Sequence, residues 1–127
     1  MDNTDEINQL SGQVVDAAFK VHKAMGPGLL ESAYQECMEK ELHNRKIPFA
    51  RQPLLPLYYE GEQLDTTYRL DFLIDECLVV ELKCVEKLLP VHEAQLLTYL
   101  KLTGKHLGLL INFSSPLIKD GIKRIIL

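Results

Sequence analysis

The chain has 127 residues, of which 46% are hydrophobic and 25% charged, and this balance fits a single soluble globular domain over residues 1–127. No apolar run reaches transmembrane length, so we expect no membrane partner. The formal net charge of −4 argues against a protein that holds nucleic acid by phosphate neutralisation alone, because such proteins carry a basic face.

The cysteines and the N-terminus favour a cytoplasmic protein. Cys37, Cys77 and Cys84 are odd in number and lack the CxxC spacing of a zinc or redox site, so we expect reduced thiols. The first residues, Met1–Glu6, are acidic and lack the basic region and hydrophobic stretch of a signal peptide. Export is therefore not expected.

Two helices are predicted before any strand. Apolar residues recur at helical spacing over Ile7–Met25, and Gly26–Pro27 is a stop signal. A second apolar face starts after Gly28 and ends near Lys46–Pro48.

The middle of the chain predicts strands. Phe49–Tyr59 reads as one strand that Pro53 and Pro56 break or confine to an edge. After a turn, Leu64–Ile74 predicts a second strand, and Leu78–Lys83 predicts a third.

A third helix and a buried strand follow. Pro90 lies near the first turn of this helix and Gly104 just beyond its end. His106–Phe113 predicts a fully buried strand, parallel to Leu78–Lys83 because a helical crossover joins them, and Ile122–Leu127 closes the sheet. The predicted order is α-α-β-β-β-α-β with a final strand.

Charged residues interrupt two of these apolar strands. The three-residue loop Asp75–Cys77 predicts a hairpin whose register places Asp71 opposite Glu81 and Arg69 opposite Lys83. A two-residue loop would shift that pairing by one residue. Glu81 and Lys83 share a face because side chains alternate along a strand.

This pattern predicts a metal site for phosphodiester hydrolysis. Apposed carboxylates retain a proton unless a cation neutralises them, and their hard oxygens suit Mg²⁺ or Mn²⁺. A metal there would activate water, and the lysine would steer or polarise it. The alternative is a solvated face of an antiparallel sheet, with Asp71 favouring a turn.

Two helices carry further candidates. Glu31 and Tyr34 share one face, where Glu31 could reach a metal; alternatively Glu31 favours the helix dipole and Tyr34 belongs to the core. His92, Gln95 and Tyr99 share a face of the third helix that could touch a phosphate backbone, or form a solvated, partly capped face.

Five blocks in order resemble one family. They are Gly28–Tyr34, with the pattern GxxExxY, Tyr68–Asp71, Val80–Lys83, Pro90–Tyr99 and Gly108–Phe113. From Val14 to Ile126 the chain resembles the GxxExxY proteins, which are grouped with the PD-(D/E)xK nucleases. The resemblance implies a restriction-endonuclease-like α/β fold, with a three-layer α/β/α core, a mixed central sheet and a site where strands diverge.

The resemblance also implies roles for the candidates. Asp71 and Glu81 correspond to metal ligands, Lys83 to the catalytic amine, and Glu31 to the acid that completes the metal site or orients its water. One departure is Leu70, which stands where the superfamily has its proline, a residue that does no chemistry.

Supporting roles follow in the same way. Gln95 and Tyr99 match a QxxxY element that contacts nucleic acid or the lysine. We list Tyr34 and His92 with them as residues that bind nucleic acid or support the site.

The resulting hypothesis is a Mg²⁺- or Mn²⁺-dependent nuclease acting on DNA. The alternative is a nuclease-like fold that binds nucleic acid or a protein partner without cutting. A third reading is a structural oligomer that uses the edge strand near Pro53 and Pro56. A domain of this size has little surface for reading a sequence, so we expect a homodimer or a recruiting protein partner.

Overall fold

The computed structural model describes residues 3–127 as three helices, two sheets and a short 3-10 helix at Ile118–Gly121. The helices are α1 (Asn3–Met25), α2 (Glu31–Asn44) and α3 (Pro90–Thr103). The strands are β1 (Phe49–Arg51), β2 (Leu54–Tyr59), β3 (Glu62–Arg69), β4 (Phe72–Ile74), β5 (Leu78–Lys83), β6 (Leu107–Asn112) and β7 (Ile122–Ile126). None of these helices is long and apolar enough to cross a membrane.

The central sheet has five strands in the order β1-β4-β5-β6-β7. Strands β5 and β6 are parallel and the other neighbours are antiparallel, so the sheet is mixed. Helices α1 and α2 cover one face and α3 covers the other, which gives two apolar cores. This arrangement confirms the predicted fold class.

Strand β5 contributes alternate side chains to the two cores. Val80 and Leu82 pack with α1 and α2, whereas Val79 packs with α3. By the same alternation Glu81 and Lys83 belong to the α3 side of the sheet.

The crossover through α3 agrees with the sequence. Pro90 is the first residue of α3, and Gly104 ends the helix in the left-handed conformation, with φ 72°. The next strand, β6, is buried along its whole length, as its apolar run predicts. Helix α1 ends at Met25 as predicted, and α2 begins at Glu31, slightly later than Gly28 suggests.

The strand predicted over Phe49–Tyr59 is broken at Pro53, one of the two prolines expected to interrupt it, and continues through Pro56. The chain leaves the central sheet at Gln52, whose φ is 47°, and Pro53 lacks the N–H that a ladder needs. Strand β1 stays in the central sheet, while β2 joins a separate two-stranded sheet with β3.

The strand predicted over Leu64–Ile74 is also divided, at Leu70 and Asp71. The Leu70 N–H donates to the Pro53 carbonyl, and the Gln52 N–H donates to the Asp71 carbonyl, each at 3.0 Å. These two bonds join the places where the chain passes between the sheets.

The register of the β4–β5 hairpin is as predicted, with Phe72 opposite Val80. The ladder stops there, so Asp71 follows next to Glu81 but outside the strand. The pairing of Arg69 with Lys83 is wrong, because Arg69 pairs with Leu54 in the second sheet.

Candidate active site

Backbone N–H groups hold the carboxylates of Asp71 and Glu81 across the two segments. The Asp71 N–H donates to Oε2 of Glu81 at 2.6 Å, and the Leu82 N–H donates to Oδ2 of Asp71 at 2.7 Å. Asp71 has this free N–H because it stands where the backbone leaves the ladder. The result is two carboxylates side by side at the end of β5.

Burial sets the charge of this pair. Glu81 is only 4% exposed, and desolvation together with the Asp71 carboxylate raises the pKa of Glu81 to about 8. Desolvation also raises the pKa of Asp71. This effect exceeds the opposite effects of the Leu82 N–H, Lys83 and Arg69, which lower the pKa. The pair therefore holds a proton near neutral pH unless a cation replaces it.

Lys83 lies on the same side of β5 as Glu81. Its Nζ donates a hydrogen bond of 3.2 Å to Oε1 of Gln95 on α3. This is the contact between the QxxxY glutamine and the lysine that the resemblance implies. The ammonium is thereby held beside the acids without an ion pair to either of them among the described residues.

Glu31 is the first residue of α2 and stands exposed at the edge of the site. Its pKa is raised by partial desolvation and then by the Asp71 charge, whereas Lys83 lowers it. Glu31 is therefore close enough to interact electrostatically with Asp71 and Lys83, although 40 positions separate it from Asp71 in the sequence.

Tyr34 fixes the loop that precedes Glu31. Its hydroxyl accepts a 3.1 Å hydrogen bond from the Leu29 N–H and donates to the Gly26 carbonyl, which ties the α1–α2 loop to the helix. The ring stacks on Phe113 with centroids 4.4 Å apart. The Tyr34 side chain is fully buried. This burial favours a supporting role over contact with nucleic acid, and either role stays a prediction.

Tyr99 lies one turn after Gln95 and is nearly buried. Its pKa is raised by desolvation, then by Glu81, Tyr68 and Asp71, so it borders both acids. Its ring centroid is 5.8 Å from that of Tyr68 on β3, with an interplanar angle of 52°.

His92 has a local role at the start of α3. Its Nδ1 accepts a 2.9 Å hydrogen bond from the Leu89 N–H, which closes the first turn of the helix. In the described part of the chain no hydrogen bond or ion pair links His92 to the acids or to Lys83, so the capped-helix alternative describes this conformation. Contact between His92 and nucleic acid stays a prediction.

Sequence reasoning missed two polar residues that position the site. Gln35 donates from Nε2 to the Asp71 carbonyl at 3.3 Å. Asn112 on β6 bonds both the N–H and the carbonyl of Val85, at 3.1 and 2.8 Å, and so fixes the segment that follows Lys83. The sequence offers a signal for Asn112, because it is a polar residue at the end of the apolar β6 strand. It offers no such signal for Gln35.

The donor set suits a hard cation held largely by water. Across residues 3–127 no group of three His, Cys, Asp or Glu side chains is placed to hold a metal ion. A role of Glu31 as a third ligand stays a prediction. Mg²⁺ is commonly held by one or two carboxylates while it keeps several waters. Each carboxylate commits one oxygen to the backbone, so a cation would use the second oxygens of Asp71 and Glu81.

A sequence model of the PD-(D/E)XK nuclease superfamily matches residues 8–125, which span all of these side chains. The chain belongs to this superfamily. Membership suggests nuclease activity on nucleic acid, and PD-(D/E)XK nucleases generally use divalent metals. Comparison with curated proteins and with solved structures finds no match.

Proposed function

We propose that this PD-(D/E)XK protein is a Mg²⁺- or Mn²⁺-dependent nuclease that hydrolyses DNA phosphodiesters. The observation that carries the proposal is the bonding of both carboxylates to the backbone, Glu81 to the Asp71 N–H and Asp71 to the Leu82 N–H. These bonds hold two acids together at a place where they would repel each other if ionised. A protein keeps such an arrangement at a cost in stability, and a bound cation removes that cost.

The carboxylates of Asp71 and Glu81 would hold the metal. When bound, the ion supplies Lewis-acid chemistry that activates water and neutralises developing phosphate charge. The carboxylates must both be deprotonated for this, so metal binding displaces the proton that the pair otherwise holds.

Lys83 would position the attacking water and stabilise charge on the phosphate. Its bond to Gln95 fixes the direction of the ammonium, and a neutral amide partner leaves the full positive charge available. Glu31 would orient water at the edge of the site, since it is exposed there and interacts electrostatically with both Asp71 and Lys83.

The pattern Gly28–Tyr34 supports a finer assignment to the GxxExxY proteins. The tyrosine of this pattern ties the loop in front of the glutamate, which gives the spacing a physical reason. A single domain, a homodimer or recruiting partner, and a cytoplasmic location stay predictions.

The test is calorimetry of Mn²⁺ and Mg²⁺ binding, with cleavage of single-stranded, duplex and branched DNA measured in the same buffer. The wild type is compared with Asp71→Ala/Glu81→Ala and with Asp16→Ala/Glu36→Ala, a control that removes the same charge from exposed positions of α1 and α2. We expect metal binding and cleavage to be lost only in the first variant. Cleavage that survives in Asp71→Ala/Glu81→Ala would contradict the mechanism.

The second candidate is a nuclease fold that binds nucleic acid or a protein without cutting. The observation that favours it is the lack of a converged three-ligand set within residues 3–127. It predicts that the wild type binds no divalent metal even when DNA is present.

A further inference from the structure

The two-stranded sheet formed by β2 and β3 has two unlike faces. Pro56 pairs with Thr67 and Tyr58 pairs with Gln63, so these residues share the outer face. The alternate residues form the other face, which β2 turns toward α3. We call this the inner face; its paired members are Leu55 with Tyr68 and Tyr59 with Glu62, on either side of a shift in register between Pro56 and Tyr58.

The inner face continues directly from the candidate active site. The ring centroids of Tyr68 and Tyr99 are 5.8 Å apart. Tyr99 lies one helical turn after Gln95, which accepts the hydrogen bond from Lys83 of the site. Leu55, which pairs with Tyr68, packs against the core under α3. A strand of substrate with a phosphate at Asp71 would therefore place its neighbouring nucleotide over Tyr68, which is 41% exposed.

Charge and shape select among nucleic acids. The acidic residues of this sheet are Glu60 and Glu62 at its turn and Asp65, which lies between Gln63 and Thr67 on β3. The pair Leu55 and Tyr68, next to the site, therefore carries no charge. A duplex is held through many phosphate contacts with basic groups, and a chain with net charge −4 offers few of these. A short unpaired strand adds stacking of its bases on aromatic rings to its phosphate contacts, so fewer basic groups are needed. Two cations are near the site, since the charges of Lys83 and Arg69 lower the pKa of Asp71.

We propose that the inner face, centred on Tyr68, is a stacking platform for the bases of single-stranded nucleic acid, next to the phosphate that the proposed nuclease site would cleave. The position of the platform next to a cleaved phosphate rests on the proposed function, whereas the binding of single strands does not. The occupant is an unpaired strand rather than a protein.

The test measures binding without cleavage, using a fluorescent single-stranded oligothymidylate in EDTA. The same protein is titrated with an abasic strand of equal length, which carries the same phosphates but no bases. We expect Tyr68→Ala to weaken oligothymidylate binding by about 5- to 100-fold, the loss of one base–aromatic stack, and to leave binding of the abasic strand unchanged. Tyr58→Ala is the control, because Tyr58 is a more exposed tyrosine of the same sheet, at 62%, but lies on the outer face.

Further variants guard against misfolding. Tyr68→Phe should bind like the wild type, whereas Tyr68→Leu keeps an apolar side chain against Tyr99 but should lose the stacking contribution. The chain has no tryptophan, so Tyr68→Trp introduces a single indole whose fluorescence the bases should quench.

Four results would overturn the inference. The first two concern the wild type: it binds no single strands, or it binds the abasic strand and the oligothymidylate equally. The third is an equal loss of oligothymidylate affinity in Tyr58→Ala and Tyr68→Ala. The fourth is a wild-type dimer that dissociates in Tyr68→Ala while oligonucleotide binding is unchanged. Tyr68-dependent binding without metal-dependent cleavage would reject the nuclease proposal alone. Cleavage without any Tyr68 dependence would reject the platform alone.

Discussion

The Asp71 N–H donates a 2.6 Å hydrogen bond to the carboxylate of Glu81, a residue whose side chain is almost completely buried. This bond holds an acid in place that would otherwise move toward solvent. It ties the geometry of the site to the protonation of Glu81, and several measurable consequences depend on it.

The free energy of unfolding should fall as pH rises when no divalent metal is present. Between the ordinary pKa of 4.5 and about 8, folded Glu81 keeps a proton that the unfolded chain releases, so each step up in pH favours unfolding. Urea denaturation across this range, in EDTA, measures the slope.

The matched variants are Glu81→Gln and Glu36→Gln. The first keeps an acceptor for the Asp71 N–H but cannot ionise, so we expect its slope to be much flatter and its stability above pH 8 to exceed that of the wild type. The second removes an exposed acid and should behave like the wild type. Identical slopes in all three proteins would contradict the assigned pKa.

Mg²⁺ or Mn²⁺ should stabilise the wild type most at alkaline pH, where the ion need not displace a proton. At a free metal concentration about 100 times Kd, the gain is about 2.7 kcal/mol. Thermal unfolding with and without metal measures it, and Asp71→Asn/Glu81→Gln should show no gain. An equal shift in that variant would mean that the ion binds elsewhere.

Lys83→Met should lower the cleavage rate by about 100-fold or more with little change in Tm, because a positioned charge is lost while the aliphatic part remains. Gln95→Ala should have a smaller effect, about tenfold, since it only releases the ammonium from its partner. Single-turnover kinetics with saturating metal measure both rates. A larger effect of Gln95→Ala than of Lys83→Met would show that Gln95 itself contacts the substrate.

Tyr34→Phe removes one hydroxyl and keeps the ring on Phe113. We expect it to cost about 1 kcal/mol in unfolding free energy, because the Leu29 N–H and the Gly26 carbonyl lose their partner. Cleavage should fall as well, through the position of Glu31. The control is Glu31→Gln, whose cleavage rate should differ from that of the wild type. If it does, and if Tyr34→Phe is less stable than the wild type but cleaves DNA at the same rate, the loop does not position Glu31.

Gly121→Ala should destabilise the fold more than Gly108→Ala. A Cβ at Gly121 would lie 2.6 Å from the Asn112 carbonyl oxygen, a backbone atom that cannot rotate away. At Gly108 it would meet the Leu96 side chain at 2.9 Å, which can shift. We expect about 1–3 kcal/mol for Gly121→Ala and less for Gly108→Ala, from urea denaturation. The reverse order would mean that α3 cannot adjust on β6.

The helices and the hairpin register could be read from local signals. Helical periodicity and the residues Pro90 and Gly104 marked α3, and the three-residue loop after Ile74 set the β4–β5 register. Such signals suffice because each depends on residues that are neighbours along the chain.

The strand breaks could not be read in this way. Leu64–Ile74 has a strand pattern, yet Leu70 and Asp71 leave the ladder because their backbone groups find partners at Pro53 and Gln52. Those partners lie about 20 positions away, and a local pattern carries no information about them. The wrong pairing of Arg69 with Lys83 follows from the same omission.

The sequence by itself determined that Glu81 and Lys83 share a face of one strand and that Gln95 and Tyr99 share a face of one helix, because side-chain period follows from backbone geometry. Only the tertiary structure decided that the Asp71 N–H meets Glu81, that Glu31 reaches their vicinity, and that Tyr68 covers Tyr99. These contacts join residues 10 to 40 positions apart, and they form only when packing of the two apolar cores fixes where the sheet, the helices and the β2–β3 pair stand.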